Sequence, residues 1–235
     1  MGRFISAVVI LTAMVGPGGA AAVAEGSPVV VELFTSQGCP ACPPADEMLR
    51  DLVQMDGIIA LALPVDYWDY IGWQDVFGQP AFTLRQQDYA RAAGARTIYT
   101  PQFIVGGTDP VIGADGMAVM EHIAIHAAAP SDIALRVTRD GDVVSIRATE
   151  TPSQTGPLVV QLVRYMPEQT VAIERGENAG QTLTYVNIVT SWDVVGHWAA
   201  GTPLSLDVPV RGTAPAVVIV QVPGPGRILA AAELR

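Results

Sequence analysis

The chain has 235 residues, of which 50% are hydrophobic, and it carries a formal net charge of -10 with no lysine. This composition fills the core of one large domain or two small ones, and it excludes a disordered chain. The negative charge argues against nucleic acid and anionic membrane surfaces as partners, and the lack of lysine excludes P-loop and Schiff-base chemistry.

The N-terminal segment, residues 1–24, has the pattern of a secretory signal peptide. Arg3 precedes an apolar stretch, and small residues follow up to a predicted cleavage site after Ala24. The apolar stretch is shorter than the roughly 20 residues that a membrane helix needs. We therefore expect an exported protein, periplasmic or extracellular, without a membrane span. Disulfide bonds persist in those compartments.

A strand, a helix and a second strand follow the leader. The apolar run 29–34 predicts a buried strand, residues 43–55 place apolar side chains at helical spacing, and the run 58–65 predicts another buried strand. This order indicates a parallel βαβ unit with a right-handed crossover. Active sites of open α/β sheets gather at the carboxyl ends of such strands.

The only two cysteines, Cys39 and Cys42, lie between the first strand and the helix in the order Cys-Pro-Ala-Cys. A thiolate is the reactive form of cysteine, and the orphan N–H groups and dipole of a helix start favour it. The spacing predicts Cys39 as the nucleophile and Cys42 as the resolving thiol that releases a mixed disulfide. Two alternatives stay open: a structural bridge, worth only about 2 kcal/mol for so short a loop, and a metal site.

The segment 66–96 is less regular and begins with a cluster of aromatic residues. Tyr67 and Trp68 belong to this cluster, and a helix is predicted over 81–93. Such aromatics either line a groove for a polypeptide substrate or pack in the core.

A hairpin and a helix are predicted next. Strands around 98–105 and 111–113 flank a glycine turn, and Asp115 is placed to cap a helix over 116–128. On that helix His122 and His126 are one turn apart, a spacing that binds metals when a third ligand is near. No third ligand is evident in the sequence.

Beyond Pro130 the hydrophobic pattern alternates, which predicts strands. A hairpin is expected around Asp140-Gly141, and further strand-like runs occupy 158–165, 170–174, 183–191, 204–210, 217–222 and 227–232. Strands at this spacing without helices suggest an antiparallel sandwich or barrel. The stretch 175–180 is a hairpin turn, or a recognition loop if it lies beside Cys39.

With Cys39 and Cys42 after a strand, and Thr100-Pro101 before a hairpin and a helix, residues 28–128 resemble a thioredoxin fold. The resemblance implies that Pro101 is cis and faces the cysteine pair. It also implies that the backbone of Thr100 pairs with an extended substrate. We therefore expect an α/β thioredoxin-like domain over 25–129 with an inserted segment 66–96, followed by an all-β, antiparallel sandwich-like domain over 130–235.

More narrowly, the stretches 32–39, 65–69, 99–102 and 175–180 resemble an uncharacterised family of secreted thioredoxin-like proteins known only as a domain of unknown function. That resemblance covers nearly all of the mature chain and supplies no substrate. Two features depart from thioredoxin: Gly38 stands where a tryptophan precedes the first cysteine, and the inserted segment lengthens the chain between the cysteines and Pro101.

Glu32 is the candidate proton relay in the sequence. It lies one residue further from the first cysteine than the buried acid of thioredoxin does. If buried in apolar surroundings, its carboxyl would have a raised pKa and could exchange a proton with Cys42. A solvated acid at the end of the strand is the other interpretation.

These features together predict an exported thiol-disulfide oxidoreductase that needs no cofactor. Its partners would be protein or small-molecule thiols and a redox partner protein, and Thr100, Trp68 and Tyr67 would contact the substrate. Residue types do not fix whether it oxidises, reduces or isomerises. A soft-metal protein that binds copper through the two thiolates and a non-catalytic binding module are the alternatives.

Overall fold

A computed structural model describes residues 21–23, 27–131, 133–148, 156–199 and 201–234. The predicted signal peptide, residues 1–24, lies outside the described residues except for 21–23, which form a short strand. None of the helices in the described ranges is long and apolar enough to cross a membrane.

The architecture is mixed α/β, with one large mixed sheet and a second, antiparallel sheet. The helices are α1 (Pro43–Leu52), α2 (Pro80–Ala92) and α3 (Gly116–Ala128), and a short 3₁₀ helix spans Asp69–Ile71. The strands are β1 (Ala21–Val23), β2 (Val29–Thr35), β3 (Ile58–Pro64), β4 (Gln102–Val105), β5 (Asp109–Ile112), β6 (Leu135–Asp140), β7 (Val143–Ala148), β8 (Pro157–Ala172), β9 (Thr182–Ala199), β10 (Leu204–Pro209), β11 (Ala216–Gln221) and β12 (Ile228–Leu234).

The predicted βαβ unit is confirmed. Strands β2 and β3 pair in parallel over their whole length, from Val29 opposite Ile58 to Thr35 opposite Pro64, and α1 connects them. Every residue of β2 is buried because helices cover both faces of the strand. Side chains of α1 and α3 pack with Val31 and Leu33, whereas α2 packs on the other face.

The hairpin and capped helix predicted after residue 98 are also confirmed. Strand β4 pairs antiparallel with β2 on one side and with β5 on the other. The Asp115 side chain accepts a hydrogen bond from the Ala118 N–H at the start of α3, as a helix N-cap does.

The large sheet contains strands from both sides of residue 130. Its order is β12-β11-β8-β9-β3-β2-β4-β5, and β9 joins the βαβ unit through a parallel pairing of Ala62 with Ile188. The second sheet, in the order β1-β6-β7-β10, encloses an apolar core with the far half of the large sheet. The division into two domains at residue 130 stays a prediction.

Strands β8 and β9 differ from the prediction in length. The run 158–165 and most of the run 170–174 belong to one continuous strand of 16 residues, β8, which pairs with the 18-residue β9. Register shifts near Val160 and Arg164 interrupt the pairing, since bulges allow a long strand to bend. The predicted hairpin turn at 175–180 lies between these two strands.

Candidate redox site

Cys39 and Cys42 are joined by a disulfide bond, with 5.4 Å between their Cα atoms. The pair lies just past the carboxyl end of β2, in a tight turn in which the Cys39 N–H donates to the Ser36 carbonyl and the Cys42 N–H to the Cys39 carbonyl. Cys42 is the N-cap residue of α1. The sequence placed both cysteines correctly relative to the strand and the helix.

The start of α1 offers fewer free N–H groups than a typical helix. Proline occupies its first two positions, Pro43 and Pro44, and proline has no N–H. The next two N–H groups, of Ala45 and Asp46, both donate to the Cys42 carbonyl. Stabilisation of a thiolate at Cys39 therefore depends on the helix dipole.

Both cysteines are fully buried, with 0% of their surface exposed. The segment 66–79 contributes to this burial, since it passes over Gly38, the residue before Cys39. A Cβ atom at position 38 would stand 3.1 Å from the Cβ of Trp68 and 3.4 Å from the Cδ1 of Ile71. A side chain at position 38 would therefore press against the inserted segment, which favours glycine before Cys39.

The β8–β9 turn completes the cover. The Asn178 side-chain amide, 2% exposed, donates to the carbonyls of Gln37 and Cys39, at 2.9 Å each. Trp73 donates to the Gln37 side chain at 2.8 Å, and a Cβ at Gly176, whose φ is +77°, would stand 3.1 Å from the Cβ of Trp73. The stretch 175–180 therefore lies directly against the cysteine pair. We call the segments 66–79 and 174–181 together the cover.

Thr100 and Pro101 stand beside the same cover. Their peptide bond is cis, as the resemblance implies. The Trp68 indole N–H donates to the Thr100 hydroxyl at 2.7 Å, so Trp68 contacts both the residue before Cys39 and the residue before Pro101. Tyr67 donates to the Gln86 side chain at 3.2 Å, and burial raises its pKa to about 12. The structure thus brings Trp68 to the residue before Cys39 and joins Thr100 to Trp68.

Glu32 is buried but is not brought to Cys42. Its carboxylate accepts hydrogen bonds from the Arg85 guanidinium at 2.6 and 2.9 Å and from the Tyr89 hydroxyl at 2.5 Å. Arg85 in turn stacks 3.6 Å from the Trp192 ring centre. Because alternate residues of a strand face opposite sides, Glu32 points to the α2 face of β2, whereas α1 covers the other face.

Sequence reasoning missed two buried acids on the α1 side of the sheet. Asp46 is 7% exposed and Asp75 is 3% exposed. Burial raises the pKa of Asp46 to about 8, with a further contribution from Asp75, although the Thr35 hydroxyl lowers it. Burial also raises the pKa of Asp75, against the backbone N–H groups that favour its charge. The available signal was the position of Asp46, four residues after Cys42 on a predicted helix.

The two histidines of α3 belong to a different part of the molecule. His126 lies 2.6 Å and His122 lies 3.7 Å from the carboxylate of Asp109 on β5. His126 also packs against Gly106, just past β4. Since Pro101 precedes β4, the histidines and the cysteines stand at opposite ends of that strand.

Comparisons with known proteins place the chain in a family. Residues 30–221 match the family described as "Protein of unknown function (DUF1223)", and the chain belongs to that family. The crystal structure of protein AGR_C_4864 from Agrobacterium tumefaciens is 32% identical, with a TM-score of 0.77, over 90% of this chain and 95% of that one. The structure of HBP35 of Porphyromonas gingivalis is 16% identical, with a TM-score of 0.60, over 91% and 76% of the two chains. At this low identity, the similarity to HBP35 shows a shared fold alone. The search of curated proteins found no match.

Proposed function

We propose that this member of the DUF1223 family is a thiol-disulfide oxidoreductase. Its thioredoxin-like α/β unit would span residues 25–129, and a β-rich part would follow over residues 130–235. One observation carries the proposal. The chain's only two cysteines form a disulfide at the end of β2 and the start of α1, at the same edge of the sheet as the cis peptide bond of Thr100-Pro101, since Phe34 pairs with Gln102. A four-residue disulfide loop stabilises a fold weakly, so exchange accounts for this placement better than structural bracing does.

The reaction follows from the two sulfur atoms. In the oxidising direction a substrate thiolate attacks the Cys39 sulfur, the Cys39–Cys42 bond breaks, and Cys42 leaves with the electron pair. A second substrate thiolate then attacks the substrate sulfur bound to Cys39, which releases an oxidised substrate and a reduced dithiol. The reducing direction is the reverse sequence and begins with attack by Cys39 on a substrate disulfide.

The substrate must reach a buried disulfide, so the cover has to move. The contacts that hold it over the cysteine turn are mainly polar: the two hydrogen bonds of Asn178, the bonds that Trp73 and Asp75 make with Gln37, and the bond from Trp68 to Thr100. Turn segments with few buried apolar contacts open locally at less cost than the core does. In the open state Thr100, Trp68 and Tyr67 are the side chains that we assign to substrate contact.

We further propose that the chain acts after export, in the periplasm or outside the cell. The leader-like residues 1–24 support this, together with a cysteine pair that suits an oxidising compartment. Its partners there would be protein or small-molecule thiols and a redox protein that restores the disulfide or the dithiol.

The test is the redox equilibrium of the folded chain. The purified protein is equilibrated in glutathione buffers of increasing reduced-to-oxidised ratio, and its thiols are counted by maleimide labelling after acid quenching. We expect both thiols to appear together within the buffer range, because catalytic disulfides are poised near the glutathione couple. A disulfide that stays intact at every ratio until the chain unfolds would refute the proposal and indicate a structural bridge.

A further inference from the structure

Cys42 and Asp46 occupy the same face of α1. Cys42 has helical backbone angles, φ -80° and ψ -34°, and the Asp46 N–H donates to the Cys42 carbonyl at 3.1 Å. Side chains four residues apart on a helix are neighbours, with their Cβ atoms about 5–6 Å apart. Both residues are buried, so the side chain of Asp46 lies one helical turn from Cys42 in the same water-poor environment.

The carboxyl of Asp46 makes no well-formed hydrogen bond that holds the fold. The Thr35 hydroxyl on β2 is close enough to lower the pKa of Asp46, but within the described residues neither this hydroxyl nor either carboxyl oxygen reaches hydrogen-bond geometry. Asp75, in contrast, accepts N–H groups from Gln37 and Phe77 at 2.8 and 2.9 Å and thereby fixes the turn. A buried carboxyl without partners is costly and suggests a role other than stability.

The groups that face Asp46 set when it holds a proton. Burial is the largest effect, and the negative charge of Asp75 adds to it, so the pKa of Asp46 rises to about 8. The buried hydroxyl of Tyr185 on β9 faces the same two acids. Asp46 therefore holds its proton near neutrality and can exchange it there, which is the requirement for a general acid or base.

A route to solvent exists beside Asp46. A cleft of about 340 Å³ opens between α1 and the start of β9, and it is lined by Asp46, Glu47, Arg50 and residues 181–184. Glu47 is 72% exposed in its side chain. The carboxyl oxygens of Asp46 are buried beside this cleft, so water reaches them and exchanges their proton when the cleft wall moves, whereas Cys42 itself has no exposed surface.

From this arrangement we propose that Asp46 supplies and receives the proton of Cys42 in each redox cycle. The inference rests on the proposed function. In the oxidising direction Cys42 leaves as a thiolate, the Asp46 carboxyl donates its proton to that sulfur, and water in the cleft reprotonates the carboxylate. In the reducing direction the Asp46 carboxylate takes the proton of the Cys42 thiol, and the thiolate attacks the mixed disulfide on Cys39.

The test follows the second chemical step in the folded chain. The reduced protein is mixed with glutathione disulfide, quenched with acid, and the glutathione adduct on Cys39 is followed by mass spectrometry between pH 5 and 9. Asp46→Asn should slow the decay of the adduct roughly 100-fold at pH 7, the lower end of what general acid–base catalysis supplies. In the unaltered chain the decay rate of the adduct should rise with pH and level off near pH 8, where Asp46 loses its proton, and Asp46→Asn should lack this plateau. The matched control is Glu47→Gln, which removes an exposed charge one residue away and should keep both features.

The outcomes separate the two proposals. If the adduct forms and decays with the same rate and pH profile in Asp46→Asn as in Glu47→Gln, the relay is refuted and the redox function stands. If no adduct forms in the unaltered chain, the redox function itself fails.

A second measurement uses the unaltered protein, so it does not depend on whether the Asp46→Asn variant folds. ¹³C NMR of the Asp46 carboxyl in the unaltered protein should show a titration midpoint that shifts when the disulfide is reduced, because a thiol or thiolate then stands one helical turn away. Identical midpoints in the two redox states would overturn the relay.

Discussion

The hydrogen bonds of Asn178 give the sharpest prediction about how the disulfide becomes accessible. Replacing Asn178 with alanine removes the donor to the carbonyls of Gln37 and Cys39. The Cys39 carbonyl keeps the N–H of Cys42, but the Gln37 carbonyl is left buried without a partner, which costs about 1–3 kcal/mol until water replaces the lost bond in the open cover. The substitution therefore lowers the opening free energy of the cover by about 2 kcal/mol, which raises the open population roughly 30-fold.

The assay is the rate at which dithiothreitol reduces the Cys39–Cys42 disulfide under native conditions, followed by maleimide trapping of the freed thiols. When opening and closing are fast, this rate is proportional to the open population, so Asn178→Ala should be reduced about 30-fold faster than the unaltered chain.

Asn187→Ala is the control. Asn187 is also buried, it donates to the Ala60 carbonyl at 2.9 Å, and its φ of 44° disfavours alanine. This variant lowers the stability of the whole fold without touching the cover, and we expect its reduction rate to stay near that of the unaltered chain. The reasoning fails if both variants accelerate in proportion to their lost stability, since the disulfide would then be reached only through global unfolding.

Two further predictions concern stability. Burial raises the pKa of Asp46 from its ordinary value to about 8. Between these two values the folded chain keeps a proton that the unfolded chain has released. The unfolding free energy therefore falls by up to about 1.4 kcal/mol per pH unit as the pH rises toward 8. Urea unfolding from pH 4 to 8 should show this slope in Glu47→Gln and not in Asp46→Asn, and parallel curves would contradict it. Arg85→Met leaves the Glu32 carboxylate buried without its cation, and it should lower the unfolding free energy by about 3–5 kcal/mol. Arg50→Met, which breaks only an exposed pair with Glu47, should cost less than about 1 kcal/mol, and equal losses in the two variants would show that the Glu32–Arg85 pair has no special weight.

Local patterns predicted the elements that surround the cysteines. The apolar runs of β2 and β3, the helical spacing of α1 and the N-cap at Asp115 are properties of short stretches, and the structure has each of them. The same is true of the order strand, cysteine pair, helix, which fixed where the disulfide lies.

The cover could not be derived in this way. Asn178 and Cys39 are 139 residues apart in the chain, and the contact exists only because β8 and β9 extend far enough to bring their turn over the start of α1. The predicted turn at 175–180 was correct, but nothing local to it indicates what it touches. The sequence shows Gly38 only as a departure from thioredoxin, and its fit to the close approach of Trp68 appears in the structure alone.

The surroundings of Glu32 and Asp46 could not be predicted for a related reason. Both acids are close to the cysteines in sequence. The two-residue alternation of a strand predicts only that the Glu32 side chain lies on the face of β2 opposite to those of its two neighbours. Which helix covers which face of that strand is a tertiary property. Since α2 supplies Arg85 to the Glu32 side, that acid became half of an ion pair, and the unpartnered acid is the one on α1.

The exchange reactivity of Cys39 is the claim on which the account depends, and a pair of serine variants tests it most directly. Cys42→Ser and Cys39→Ser are each incubated, folded, with glutathione disulfide, and the intact proteins are weighed by mass spectrometry. The account predicts a stoichiometric glutathione adduct on Cys39 in the first variant and little or none on Cys42 in the second. The absence of an adduct on Cys39 in the folded protein, or an equal reaction of the two cysteines, would contradict it.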